Sequence, residues 1–432
     1  MVQGREAETR PTRVRFVMLS LLATGTLINY LDRAVLGIAA PSLSRDLTLD
    51  PRALGLVFSA FSWSYAALQI PGGIFLDRFG SRLTYMLSVT AWSTCTLLQS
   101  AVGGLAGLLG LRVLLGISES PCFPTNSRVV ATWFPQQERA FATSIYTVGE
   151  YAGLAFLSPV LFWMLGAYGW RVLFVASGVL GLLFAVVWWR VYRSPADSRR
   201  VNELELDHIR AGGGLLETTS SPHAPFDWRR AAQLMRHRQM WGICLGQFAG
   251  NSTLVFFLTW FPTYLATERH MDWVNLGWFS VVPFLAASAG VLIGGRWSDG
   301  LLHRGASANK ARKLPITCGL LLASTIALAN FFDSDLIAIL FLSLAFFAQG
   351  IAALGWTLVA DIAPEGMLGV TGGVFNLFSN LAGILTPIVV GGIAHATGSF
   401  VGALAYVSGV ALMGALAYAF LLGDVKRISL AA

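Results

Sequence analysis

A chain of 432 residues, 55% hydrophobic and 12% charged, with a mean hydropathy of +0.62, is far too apolar for a soluble enzyme of its size and reads as an integral membrane protein. Its formal net charge of +7 invites nucleic acid as a partner, but the cations follow membrane topology instead. Of the 30 Lys and Arg residues, Arg33 and Arg112 fall inside apolar segments and only Arg45, Arg52, Arg171 and Arg269 in odd-numbered loops. The rest crowd the termini and the even-numbered loops, which predicts both termini in the cytoplasm. Apolar stretches of roughly 20 residues can cross ~30 Å of hydrocarbon as helices, and the chain has twelve. The expected fold is an all-α membrane protein of twelve transmembrane helices in two six-helix lobes, with residues 1–189 as the first lobe, 190–239 as a cytoplasmic linker and 240–432 as the second.

The start, MVQGREAETRPTRVR, is charged but has no cleavable signal pattern, so the first helix is expected to be retained. Predicted helix 1 covers about 15–40, and within it INYLDRAVLG (28–37) holds the adjacent charges Asp32 and Arg33 beside Tyr30. A charge at a bilayer centre costs about 2.5 to 3.5 kcal/mol on insertion scales, so it persists only where a partner, a cavity or a function compensates. The pair is either a functional site or an inward-facing ion pair that locks two helices together. Helix 2, about 53–76, contains Tyr65 and runs into GGIFLDRFGSR (72–82). Two glycines there permit close helix approach, and Asp77, Arg78 and Arg82 make a charged cytoplasmic turn.

In helix 4, LRVLLGISESPCFPTNSR (111–128), Arg112 and Glu119 are two helical turns apart and share a face. Pro121 and Pro124 interrupt the helix just beyond, as cavity-lining helices tolerate. Helix 5, about 140–166, carries Glu150, and helix 6, about 172–189, is almost wholly apolar. Composition then changes abruptly: nine arginines, AGGGL and TTSSPHAP mark 190–239 as linker, with one short amphipathic helix expected over 201–210.

The second half repeats the first in outline. Helix 7, about 241–265, has Gln247 and Asn251 and no charge; helix 8 ends in GGRWSDGLLHR (294–304), an echo of 72–82; and AGILTP (382–387) echoes AGLAFLSP (152–159). Internal repetition of a six-helix unit is a transporter signature, with the substrate site near the midplane where the halves meet. Helix 9 is expected over about 314–331 and helix 10, bearing Trp356, over about 336–358. Helix 11 sets Asn376 and Asn380 on one face, and helix 12 leads into LLGDVKRISLAA. Trp170, Trp273 and Trp278 suit an interfacial aromatic belt. The four cysteines, Cys95, Cys122, Cys244 and Cys318, lack CxxC spacing and read as packing residues, with no metal site indicated.

The ionisable residues of the helix cores, Asp32, Arg33, Arg112, Glu119 and Glu150, all belong to the first lobe, whereas the second offers Gln247, Asn251, Trp356, Asn376 and Asn380. A guanidinium is a planar fork matched to carboxylate, so Arg33 and Arg112 are candidate anchors for an organic anion. A substrate that draws an arginine off its carboxylate leaves that carboxylate readier to hold a proton, so anion and proton travel together. Asp77 and Asp299, with their arginines, are placed to gate or staple a closed state. The histidines lie in loops or at helix ends, leaving no relay through the membrane. A membrane-embedded hydrolase or acyltransferase finds no HExxH, no GxSxG and no helix-borne histidine. An exchanger of organic phosphates would want an arginine on helix 7, which has none.

GGIFLDRFGSR and its weaker copy resemble the loop signature of the major facilitator superfamily. NYLDR, VFSAFSWSYAALQIPGG, ESPCFPTNSRVVATWFP, LGQF followed by FFLTWFP, TGGVFN and the GDVKR tail together resemble the anion:cation symporter family over about 13–428, nearest to the bacterial D-galactonate and glucarate/galactarate proton symporters. The resemblance implies a monomer that imports a sugar-acid anion with protons across a cell inner membrane, needing the lipid bilayer but no cofactor. It implies Asp32 and Glu119 as protonation sites, Arg33 as their link to substrate and Arg112 as the helix-4 arginine. Tyr65, Gln247, Trp356 and Asn376 match sugar-acid contacts. Two positions depart from the pattern: Glu150 stands where these relatives have glutamine, and Ala353 where a galactonate transporter has serine. A carboxylate at Glu150 in a substrate site repels an anion unless it is protonated or paired with an arginine. GIAALGWTLVADIAP and TGSFVGALAYV resemble the glucarate side more closely, so hexonate and hexarate both stay open.

Overall fold

In the computed structural model the described residues are 10–135, 138–214, 228–364 and 367–428. The first nine residues of the charged start and the linker tract TTSSPHAP lie outside them. The regular elements are helical throughout. The first half holds α1 (Val14–Asp46), α2 (Pro51–Ala67), α3 (Gln69–Gln99), α4 (Leu105–Glu119), α5 (Cys122–Trp133), α6 (Arg139–Tyr168) and α7 (Trp170–Val191). Two short linker helices, α8 (Glu203–Ala211) and α9 (Trp228–Leu234), follow. The second half holds α10 (Arg238–Thr259), α11 (Phe261–Thr267), α12 (Trp273–His303), α13 (Ala308–Ala323) continued by a 3-10 segment (Ser324–Phe331), α14 (Asp335–Ala352), α15 (Gly355–Ile362), α16 (Leu368–Thr397) and α17 (Val401–Leu416).

Ten spans among the described residues are long and apolar enough to cross a membrane, or up to eleven when the pair 51–67 and 71–99, bent by 68°, is taken as one. Their ends follow local chemistry. The Asp50 carboxylate accepts from the Ala53 N–H at the start of α2, with Pro51 in the first turn, and Asp272 accepts from Val274 and Asn275 at the start of α12. Inside α3 the backbone breaks at Gly80 (φ 71°, ψ 167°), which divides it into two limbs; a residue with a side chain would be strained there. Several predicted rods are likewise interrupted: α4 and α5 part at Ser120–Pro121, α10 and α11 at Trp260 before Pro262, and α14 and α15 at Ala353–Leu354. The first helix runs beyond its expected end at 40 to Asp46, and the short linker helix falls at Glu203–Ala211, close to its expected place.

The buried core has an uneven plan. One cluster joins both halves and contains Leu36, Leu43, Phe58 and Phe162 from the first with Phe257, Trp260, Phe346 and Phe400 from the second. The other two large clusters stay within one half each, one around Tyr85, Trp92 and Trp188, the other around Phe375 and Tyr418. The halves are therefore fused at the end holding Asp46–Asp50 and Gly169 and separately packed at the end where α1 begins. At the fused end α2 lies directly on α16. A Cβ on Gly55 would sit 2.6 Å from the Pro387 carbonyl oxygen, and one on Gly391 2.5 Å from that of Pro51. The same end has His395 Nδ1 3.5 Å from Asp50 Oδ2 across the halves. Trp170, expected in an aromatic belt, is instead 2% exposed, its indole N–H donating to Asp46 at 2.8 Å, whereas Trp278 is 65% exposed.

At the opposite end, ion pairs tie the linker to the first half. Glu205 of α8, fully buried, accepts from the N–H groups of Val14 and Arg15 at 3.0 and 3.2 Å and pairs with the Arg15 guanidinium at 3.1 Å. It thereby satisfies the orphan donors at the start of α1. Arg15 also pairs with Glu138 at 3.0 Å.

Candidate anion and proton site between the halves

α1 and α4 bring the predicted charges together. The Arg33 guanidinium donates from Nε to Glu119 Oε2 at 3.0 Å and pairs through Nη2 with the same oxygen at 2.9 Å. Glu119 is fully buried, and Asp32 and Arg112 are 2% and 3% exposed. Aromatic faces carry the cations: Arg33 lies over the rings of Phe61, Tyr65 and Tyr30 at 4.7, 5.0 and 5.2 Å, and Arg112 over Phe61 at 5.2 Å. Such stacking attracts a desolvated guanidinium while leaving its N–H edges free for an anion. Asp32 points elsewhere, toward Trp92 and Thr96 of α3, with Arg112 and Glu119 as its charged neighbours.

A cavity opens between the halves with Arg33, Arg112 and Ser62 on one side and Asn251, Ser379 and Asn380 on the other. Tyr30, Phe58, Phe61 and Leu258 complete its walls. Charge thus faces amide and hydroxyl across it, the division expected from the sequence. An ionised carboxylate on one end of a small polyol acid would meet two guanidiniums, and its hydroxyls the opposite wall.

Several predicted contacts stand off this wall. Tyr65 is stacked beneath Arg33, and Glu150 is 5% exposed behind Tyr30, whose hydroxyl it faces. Gln247 donates to Ser379 Oγ at 3.2 Å, acting through a residue that does line the cavity. Asn376 donates to Gln69 Oε1 at 2.6 Å, a bond between the halves. Trp356, beyond the Ala353–Leu354 break, is 51% exposed and packs edge-on to Phe375 at 4.9 Å. The wall residues Phe61, Ser62 and Ser379, and Gln69 behind them, went unnoticed in the sequence. The spacing 58, 62, 65, 69 in VFSAFSWSYAALQ was the available signal, since it puts Ser62, Tyr65 and Gln69 along one helical stripe.

The charged turn divides its partners. Asp77 pairs with Arg128 at 3.2 Å, Arg82 donates to the Trp189 carbonyl at 2.7 Å, and Arg78 lies 5.5 Å over Phe79. In the second half Arg312 stands 3.6 Å from Asp299 and 3.4 Å from Asp361.

Residues 22–387 match the Major Facilitator Superfamily. The chain is 44% identical to the D-galactonate transporter of Escherichia coli O6:H1 over 97% of its own length and 98% of that protein's. It is 42% identical to the probable galactarate/D-glucarate transporter of Bacillus subtilis, covering 98% of this chain and 94% of that one. Among solved structures, a D-xylose-proton symporter matches with a TM-score of 0.73 at 15% identity, covering 95% of this chain and 98% of that one. A bacterial homolog of the human lysosomal transporter Spinster, inward-facing and occupied, matches with a TM-score of 0.72 at 19% identity, covering 96% and 99%. These two establish the fold alone. With its series of apolar helices this is a multi-pass membrane protein, and the chain belongs to the Major Facilitator Superfamily.

Proposed function

We propose that the protein is a proton-coupled symporter that imports a sugar-acid anion, D-galactonate or a related hexonate, across a bacterial inner membrane by alternating access. It acts as a monomer and not as an enzyme. Division of α3 at Gly80 gives twelve spans in two lobes, 1–189 and 240–432, joined by the cytoplasmic linker 190–239, with both termini in the cytoplasm. In this reading the fused cores seal the external end, and the cavity faces the cytoplasm between the separate ones. Asp77, Arg78 and Arg82, with Asp299 in the second lobe, gate that cytoplasmic end.

The observation that carries the reading is the Arg33–Glu119 pair beside a cavity that also exposes Arg112. An arriving carboxylate competes with Glu119 for Arg33. A buried carboxylate left without its cation is strongly disfavoured and is relieved by taking a proton. Asp32 lies close enough to Arg112 and Glu119 to take part in the exchange. Tyr65, Gln247, Trp356 and Asn376 would join the substrate as the lobes close over it, and Glu150 would act on it through Tyr30. The two guanidiniums share one Phe61 ring and so converge on a single acid group. Among the described residues the facing wall offers no second cation, which favours a hexonate over galactarate or glucarate.

Uptake of D-galactonate into proteoliposomes under an inwardly directed proton gradient, with a pH dye in the lumen, tests this. The expected result is gradient-driven uptake with acidification of the lumen. Uptake indifferent to the gradient removes the proton, and uptake of galactarate without D-galactonate moves the assignment to hexarates.

A further inference from the structure

The middle of the first lobe contains a polar seam that the cavity does not touch. Along α3, Tyr85, Ser88, Trp92, Thr96 and Gln99 recur at steps of three and four and so share one face. All five are buried, at 9% exposure or less. The Tyr85 hydroxyl, the Trp92 indole N–H, Thr96 Oγ1 and Gln99 Oε1 make no well-formed hydrogen bond to protein. Opposite them on α1, both amide atoms of Asn29 and both carboxylate oxygens of Asp32 also make no well-formed hydrogen bond, although Asp32 faces Trp92 and Thr96, and Asn29 faces Glu119. Polar groups aligned like this in a lipid-embedded bundle are costly unless ordered water joins them.

The seam ends differently in its two directions. Toward the end where α1 begins, the ring of Tyr85 packs edge-on to Trp92 at 6.2 Å and against Trp188 at 4.3 Å, closing it with aromatic carbon. Toward the fused end only Thr96 and Gln99 follow, and Gln99 is the last residue of α3. Thr96 to Gln99 is one helical turn, ~4.5 Å of rise.

We propose that Thr96 and Gln99 form a proton path to Asp32 that opens at the fused end of the bundle and bypasses the cavity between the lobes. A hydronium at the mouth passes its proton through water held by Gln99 Oε1 and Thr96 Oγ1 to the Asp32 carboxylate, leaving water behind and a neutral acid. The path does not short-circuit the transporter. Arg33 and Arg112 line the cavity and Asp32 does not, and Arg112, which faces the acid, lies on its cavity side. A fixed guanidinium is a barrier to protons. Arg112 and Glu119 of α4 are the charged groups facing Asp32, and α3 presents it only the neutral Trp92 and Thr96. The proposal rests on the symport reading but its test does not need a substrate.

In nanodiscs, an acid jump followed by infrared absorbance reads the rise of a protonated carboxyl band, assigned to Asp32 by its loss in Asp32→Asn. In Thr96→Val with Gln99→Leu the rise is expected to slow about tenfold or more. Thr96→Ser, which keeps the hydroxyl, and Ser88→Ala, on the sealed side, should retain the native rate. An unchanged rate in the double variant, or equal slowing in Ser88→Ala, overturns the proposal. Should the band slow as expected while native uptake ignores the proton gradient, the path stands and the symport reading falls.

Discussion

The Arg33 guanidinium holds one oxygen of Glu119 at 2.9 Å and leaves the other, Oε1, buried without a protein partner. The pair is strong enough to keep a charge inside the lobe, yet incompletely satisfied, so a competing anion can divide it. Glu119→Gln keeps the shape and removes the negative charge. It should retain D-galactonate binding and substrate-for-substrate exchange while losing accumulation against a concentration gradient. Retained accumulation in that variant would falsify the coupling role.

Arg112 offers its planar fork to the cavity, with Phe61 beneath it at 5.2 Å. Arg112→Lys preserves the charge but neither the fork nor the stacking. Loss of one charged hydrogen bond, about 1.5–3 kcal/mol, should weaken D-galactonate binding by roughly 10- to 150-fold, measurable by calorimetry or thermal shift. A change under twofold would mean that Arg112 is structural.

Gln69 and Asn376 are bonded across the lobes at 2.6 Å, far apart in sequence. The bond exists in this conformation, so Asn376→Ala should release about 0.5–1.5 kcal/mol of bias toward it. Spin labels at Arg199 and Arg304, both exposed at the separate ends, should report a shifted distance distribution in the variant. Identical distributions would show that the bond does not bias the equilibrium.

Gly55 faces the Pro387 carbonyl with no space for a side chain. Gly55→Val should part α2 from α16, cost about 1–3 kcal/mol in this conformation and abolish uptake. Lower thermal stability together with new thiol reactivity of a cysteine placed at Ser62 would mark the opened seal. Native uptake in that variant would show that the close approach is dispensable.

Glu138 ties Arg15 to His208 at the linker side of the first lobe. Burial works to raise its carboxyl, but the His208 hydrogen bond and the Arg15 charge outweigh it and hold it below the ordinary carboxylate value. A depressed value means that the stabilisation is complete above the ordinary range and is lost as pH falls through the lowered one. Glu138→Gln should therefore lower Tm at neutral pH, and the gap to the native protein should close on acidification. A gap constant with pH would assign the effect to packing.

Much of the candidate site was legible because a charge in an apolar run is conspicuous: Asp32, Arg112 and Glu119 proved buried, Arg33 half-buried, and the four lie close together. The glycine-rich turn also announced the break, at Gly80. What could not be read were features set by the meeting of distant segments. Nothing about Gln69 or Ser379 is unusual until the lobes are docked. The interruption at Ala353–Leu354 falls inside apolar sequence with no proline, where hydropathy has no reason to change. Glu150, singled out as a direct substrate contact, lies behind Tyr30 because an acid on α6 reaches the cavity only through that ring.

Where α2 meets α16, backbone touches backbone at Gly55 and Gly391 with no side chain between. Most molecular contacts must freeze rotamers to form and free them to part, an entropic toll that glycine does not carry. This seal can therefore break and re-form without a search for the right arrangement, which suits a surface that must separate and rejoin in every transport cycle.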